Sequence, residues 1–194
     1  MKAAKYVSAA DVARSAAFDP DTPAPPRYDP GPPFGALDVR PGRVVLIGAP
    51  PGAGKTALVL QLAAGVLQQQ ADVRAVIGNV EMAPADLLAK VAARLAGLPV
   101  AAVSDKTLNA AQKHRLRQAL SAHQGVLDRL AFLDAPYTLS HLAEALDGFG
   151  GTLAVVDYVQ RFGTAKDMRE SLDGLMTGLR SLATAGAAVV AVSS

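Results

Sequence analysis

The run Ala49-Pro50-Pro51-Gly52-Ala53-Gly54-Lys55-Thr56 holds the residue types that bind a chain of phosphates. Gly52 and Gly54 have no Cβ, so backbone N–H groups can close on phosphate oxygens. Lys55 supplies a cation for the β- and γ-phosphates, and the Thr56 hydroxyl suits Mg2+. From Ala57 the sequence turns helical, and the positive end of that helix would face the anion. The expected ligand is a nucleoside triphosphate, with ATP the first choice and Mg2+ its companion. Such loops usually open on glycine; here Ala49 stands there, with Gly48 one residue earlier.

Two acids follow apolar runs. Ala75-Val76-Ile77-Gly78-Asn79-Val80 ends in Glu81, and Thr152-Leu153-Ala154-Val155-Val156 ends in Asp157. If these runs are parallel strands, their carboxyl ends share the sheet edge at which the phosphate loop lies, the edge where ligands bind. Both acids would then approach the γ-phosphate. Asp157 is expected to hold Mg2+ through water. Glu81 is expected to polarise the attacking water as general base. Solvated acids just past a strand would look alike in isolation; the loop's presence favours the chemical reading.

The elements that must position these groups can be read from periodicity. Strand-length apolar runs occur at 44–47, 73–80, 130–133, 153–156 and 188–192. Near-continuous Val, Ile, Leu and Ala in three of them fits parallel strands buried on both faces. Helical stretches lie between. Ala57 to Leu67 is apolar nearly all round, as an interior helix would be. Pro84 to Ala96 has Pro at its start and Gly97 and Pro99 past its end. Arg169 to Ala185 carries Leu172, Leu175, Met176, Leu179 and Leu182 on one face and stops at Gly186. This alternation predicts an α/β fold: a parallel sheet of about five strands with helices on both faces. Before it, residues 8–18 predict a short helix capped by Ser8, and 19–33 contain seven prolines, which predict an extended linker or surface strap.

Composition narrows the class. The chain has 194 residues, is 51% hydrophobic and has a formal net charge of +2, which neither demands nor excludes nucleic acid. It contains no cysteine, so disulfides and thiolate metal sites are excluded. The apolar runs are too short and broken for a membrane span, and residues 1–18 lack the unbroken apolar run of a signal peptide, so a cytoplasmic protein is expected. His114, His123 and His141 lack metal-ligand spacing and are expected on helix surfaces. Lys113, Arg115 and Arg117 read as a solvated helix face, and Tyr158 as core packing.

Several ordered blocks resemble the RecA-like ATPase domain of DnaB-type replicative helicases. They are RPGRVVLIGAPPGAGKTALVLQLA, NVEMAPADLLAKVAARLAGLP, GGTLAVVDYVQRF and LRSLATAGAAVVAVSS, spanning roughly 38–194. The pair Glu81-Met82 before a helix starting at Pro84 is the most specific, and Asp157-Tyr158-Val159-Gln160 is similar to that family's Walker-B segment. The resemblance implies a P-loop NTPase core over 34–194, preceded by a helix and linker over 1–33. It implies ATP held between subunits of a ring, usually a hexamer. It further implies that a loop after Asp157 faces a central channel. Here that segment carries Arg161, Lys166 and Arg169. Two readings stand for it: a grip on the phosphates of single-stranded DNA, or a solvated basic loop.

The pattern departs from the family in three ways. The family's N-terminal helical domain meets primase, but only a short Pro-rich stretch precedes the core here, so a primase partner is not expected. The short helix at 8–18 is instead a candidate to dock on a neighbouring subunit, as the family's linker helix does. Ser194 stands where the family has a glutamine γ-phosphate sensor. The family continues with further strands, a second DNA loop and an arginine finger; the sequence stops at Ser194, which suggests an incomplete core, an unpaired strand at 188–192 and slow hydrolysis by the isolated chain. The leading expectation is a DnaB-like ATPase and DNA helicase acting in replication. The alternative is a RecA/KaiC-like regulatory or assembly ATPase that does not unwind. A small-molecule kinase is disfavoured, because no Arg-rich lid flanks Asp157.

Overall fold

The computed structural model describes residues 7–15, 18–24, 26–162 and 168–193, with side chains described from residue 173 in the last stretch. The five apolar runs form strands β1 (Val44–Gly48), β2 (Ala75–Asn79), β3 (Leu130–Phe132), β4 (Leu153–Asp157) and β5 (Ala188–Ser193). They make one sheet, parallel throughout, in the order β1-β5-β4-β2-β3. Successive side chains of a strand point to opposite faces, and both faces are covered. Ala75, Ile77, Leu153, Val155, Val190 and Val192 pack on one side with helices α2 (Lys55–Gln69) and α3 (Pro84–Ala96). Val76, Ala154, Val156, Val189 and Ala191 pack on the other with α7 (Leu139–Phe149) and α8 (Met168–Thr184). Burial on both faces is why these strands read as unbroken apolar runs rather than as alternating ones.

Helix α2 shows why its sequence is apolar on every side. Its sheet face packs into the core, and Val59, Leu62, Ala63, Val66 and Leu67 are fully buried. Its outer side is covered by the Pro-rich strap. Tyr28 of the strap is buried, and its N–H donates to the Val39 carbonyl at 2.7 Å. The Pro30 carbonyl passes so close to α2 that a Cβ on Gly65 would stand 2.1 Å from its oxygen. Glycine is therefore required there by approach, not by dihedral angle. Arg27 fastens the strap by donating to the carbonyls of Gly35 (2.6 Å) and Leu37 (2.9 Å). Arg129 closes the far end of α2, donating to the carbonyls of Leu67 (2.6 Å), Gln70 (2.5 Å) and Val73 (3.0 Å).

The remaining helices follow local rules. Helix α1 (Ala9–Ala13) is capped by the Ser8 hydroxyl, which accepts from the Asp11 N–H at 3.1 Å. Helix α3 carries Pro84 in its first turn and ends on Gly97 at φ +60°. Short α4 (Val100–Ser104) leads to α5 (Ala110–Ala122), which starts with a reciprocal Asn109–Gln112 capping box, and α6 (Gln124–Leu127) follows. Among the described residues no helix is long and apolar enough to cross a membrane.

One expectation is corrected. The last strand is not an unpaired edge: β5 lies between β1 and β4 and is hydrogen-bonded on both sides. The chain crosses from β1 to β2 three places along the sheet, and β4 and β5 later fill the gap. The edges are β1 and β3, and Leu46 of β1 is 51% exposed.

Candidate nucleotide-binding site

The phosphate loop leaves the carboxyl end of β1. The Ala49 N–H donates to the Ser193 carbonyl at 3.3 Å, so the loop's root is tied to the end of β5. Gly52 and Gly54 have φ of +79° and +83°, a region that side chains disfavour, and nothing lies within 4 Å of where their Cβ atoms would stand. The loop thus stays open where backbone amides would meet phosphate. Ala49 is not left-handed, since Lys106 is the non-glycine residue with positive φ among those described. Its Cβ therefore costs the loop nothing, which explains why alanine can stand for the usual first glycine. Helix α2 begins at Lys55 with Gly54 as its cap and no side-chain hydrogen bond there, leaving the first-turn amides to an anion. The Lys55 ammonium donates to the carbonyls of Ala49 (2.6 Å) and Pro50 (2.9 Å), which hold it over its own loop.

The acids arrive from two adjacent strands. Asn79 and Asp157 are register partners at the carboxyl ends of β2 and β4. Both are almost wholly buried, at 3% and 2% exposure, amid otherwise apolar strands. A buried carboxylate needs hydrogen bonds, and the Asn79 Nδ2 donates to Asp157 Oδ2 at 2.6 Å. The Asn79 Oδ1 accepts from the backbone N–H groups of Glu81 (3.0 Å) and Met82 (2.7 Å). Glu81 itself is exposed, at the turn from β2 into α3.

These groups share one cleft of about 360 Å3. Its walls are Pro51, Gly52, Gly54, Lys55, Thr56 and Ala57 from the loop and first turn, Glu81 and Met82 beyond β2, Lys90 of α3, and Asp157 and Tyr158 beyond β4. Ala49, Pro50 and Ala53 complete the loop without lining the cleft. The donor set suits Mg2+. Thr56 and Asp157 offer a hydroxyl and a carboxylate in the same cleft, and Mg2+ is commonly held by one or two such groups plus phosphate oxygens and water. Among the described residues no cluster of three or more His, Cys, Asp or Glu could cage a metal by itself.

The segment after Asp157 begins with a 3-10 turn, Val159–Arg161. Val159 and Phe162 are buried, and Phe162 packs on Gly78, where a Cβ would come within 2.6 Å of the ring. Gln160 Nε2 donates to Ser193 Oγ at 2.8 Å. Arg161 is exposed; its Nε donates to the Tyr158 hydroxyl at 3.0 Å and its guanidinium lies 5.9 Å from that ring's centre. The Tyr158 hydrogen bond and charge, with a smaller contribution from Glu81, push the Arg161 pKa up. Lys166, the Arg169 side chain and Ser194 lie outside the described residues. His114 is exposed on α5, while His123 and His141 are half-buried, with Nδ1 atoms 2.9 Å from the Ala119 carbonyl and 3.6 Å from Glu144 respectively. Lys113, Arg115 and Arg117 are exposed on α5. Tyr158 is half-buried against the core and also lines the cleft, so it serves both surfaces.

Sequence reasoning gave no part to Asn79 or to Lys90. The signal for Asn79 was a lone polar residue ending an apolar strand two positions before Glu81. Lys90 had no comparable signal, because a lysine on a helix is ordinarily solvated.

Solved structures share this fold. The solved structure of an ATPase domain superposes with a TM-score of 0.67 at 17% identity, covering 78% of this chain and 57% of that one. A DnaB-like replicative helicase, solved with a view to its interactions with primase, superposes with a TM-score of 0.67 at 16% identity, covering 78% of this chain and 38% of that one. The chain therefore spans little more than half the length of the first structure and less of the second. No curated protein sequence matches it. The family model for the DnaB-like helicase C terminal domain matches residues 37–194, and it is to this family that the chain belongs.

Proposed function

We propose that the chain binds and hydrolyses ATP as the motor domain of a DnaB-like DNA helicase acting in replication. The observation that carries the reading is the convergence of Lys55, Thr56, Glu81 and Asp157 on one cleft beneath a left-handed Gly52/Gly54 loop. The loop amides and the first turn of α2 bind the phosphates, and Lys55 reaches the β- and γ-phosphates. Thr56 and Asp157 are the residues that would hold Mg2+. When bound, Mg2+ would supply positive charge to offset the negative charge developing on the phosphate oxygens. Glu81 accepts a proton from the attacking water as its oxygen bonds to the γ-phosphorus and the bond to the β–γ bridging oxygen breaks. An exposed carboxylate at the cleft wall suits that part, because it must meet water as well as phosphate. A ring of subunits, usually six, would bring neighbours to the same cleft. The segment with Arg161, Lys166 and Arg169 would meet single-stranded DNA; primase contact forms no part of this proposal.

The test is Mg2+-dependent ATP turnover by the assembled oligomer with and without single-stranded DNA. Faster turnover with DNA is expected. Turnover indifferent to DNA would overturn the motor reading and leave a regulatory ATPase.

A further inference from the structure

We propose that Asn79 is a positioning residue that sets both acids of the cleft at once. The inference rests on the reading of Asp157 as a metal-holding carboxylate and Glu81 as the base. Its ground is the three hydrogen bonds that one buried carboxamide makes. Nδ2 donates to Asp157 Oδ2 at 2.6 Å. Oδ1 accepts from the N–H groups of Glu81 at 3.0 Å and Met82 at 2.7 Å.

The orientation of the amide is settled by its partners. Backbone N–H groups only donate, so the oxygen must face them; an ionised carboxylate only accepts, so the nitrogen must face Asp157. A carboxamide is the short side chain that meets both demands. An aspartate would set acceptor against acceptor at Asp157. A hydroxyl has one proton and too little reach for both sides. The strand register places Asn79 beside Asp157, so no backbone adjustment is needed to make the contact. The Val80 N–H also donates to the Asp157 carbonyl at 3.3 Å, which continues the ladder one residue past β2.

The consequence for function is a division of labour within Asp157. One carboxylate oxygen is engaged by Asn79, which fixes the plane of the group and leaves the other oxygen for the metal's shell. The same amide draws the Glu81–Met82 backbone against the end of β2, which sets where the base begins its reach. Groups that orient a metal ligand in this way typically change metal affinity or activity by about 10–100-fold when removed.

The test uses the 194-residue chain and three readouts. In Asn79→Leu and Asn79→Ala, binding of a fluorescent ATP analogue is titrated with Mg2+. The Mg2+ concentration for half-maximal binding should rise by about tenfold or more, while analogue affinity in EDTA stays unchanged because the phosphate loop is intact. In the unaltered, nucleotide-free protein, amide hydrogen exchange should show Glu81 and Met82 protected despite lying past the end of β2. That readout needs no variant, so the proposal stays open to refutation if both variants unfold. A folded variant whose Mg2+ half-saturation stays within about twofold of the parent refutes the proposal, and so do unprotected Glu81 and Met82 amides. A merely structural Asn79 would lower the melting temperature and leave the Mg2+ titration where it was. Glu81→Gln with undiminished hydrolysis would instead refute the base reading, and the Mg2+ titration, which involves no turnover, would still stand.

Discussion

Replacing Gly65 by alanine should destabilise the protein, although alanine is the better helix former. In the interior of a helix, Gly→Ala ordinarily adds about 1 kcal/mol. Gly65 sits mid-way along α2, so helix propensity alone predicts a gain. The strap reverses the sign. A Cβ there would stand 2.1 Å from the Pro30 carbonyl oxygen and 2.9 Å from its carbon, whereas ordinary contact begins near 3.4 Å. The obstacle is backbone, not the end of a flexible side chain, so the strap itself must move by about 1 Å. That movement loosens Tyr28, which the 2.7 Å bond to Val39 holds in the core. Overpacking of this kind costs about 1–3 kcal/mol, which leaves a net loss of up to about 2 kcal/mol once the helix gain of about 1 kcal/mol is subtracted. For a domain of this size that is a fall in melting temperature of up to roughly 8 °C. Gly174 in α8 provides the control, because nothing lies within 4 Å of its Cβ position. Gly174→Ala should raise the melting temperature by roughly 2–4 °C. Both variants are compared with the parent by calorimetry at one scan rate. If Gly65→Ala melts above the parent, the strap does not press on α2 as described, and the account of why α2 is apolar on all sides is wrong.

Three further outcomes are expected. Lys55→Ala removes the cation that the loop carbonyls hold at 2.6 and 2.9 Å; two charged hydrogen bonds to phosphate at about 1.5–3 kcal/mol each predict at least a hundredfold loss of ATP affinity, read by calorimetric titration, and unchanged affinity would sink the phosphate-loop reading. Glu81→Gln keeps the shape of the cleft but cannot take a proton; single-turnover assays should show ATP bound with hydrolysis slowed by about 10²–10⁴-fold, and a fully active variant would remove Glu81 as base. Arg129→Ala strands the carbonyls of Leu67, Gln70 and Val73 at the end of α2; denaturant unfolding should show a loss of about 2–4 kcal/mol, with nucleotide affinity little changed because Arg129 is not among the cleft's walls.

How much of this was legible depends on whether the signal was local. The loop at 49–56 declared itself through residue types at fixed spacing. The strands β1 to β5 declared themselves as short apolar runs, and α3 through Pro84 at its start and Gly97 at its end. Glu81 and Asp157 were placed by one topological argument: parallel strands end on one edge. In the structure both acids and the loop line a single cleft.

The sequence by itself thus determined the five strands, their parallel sense, helices α2, α3 and α8, and the phosphate loop with its two acids, because those follow from spacing and periodicity within short windows. Only the tertiary structure decided which strand lies beside which. The interior place of β5 between β1 and β4 depends on pairings more than a hundred residues apart in the case of β1, and no local period encodes them. It also decided what covers the outer side of α2, since the strap's approach to Gly65 is a contact between segments that carry no mark of each other. The part played by Asn79 is of the same kind: its amide acquires meaning only when register sets it beside Asp157.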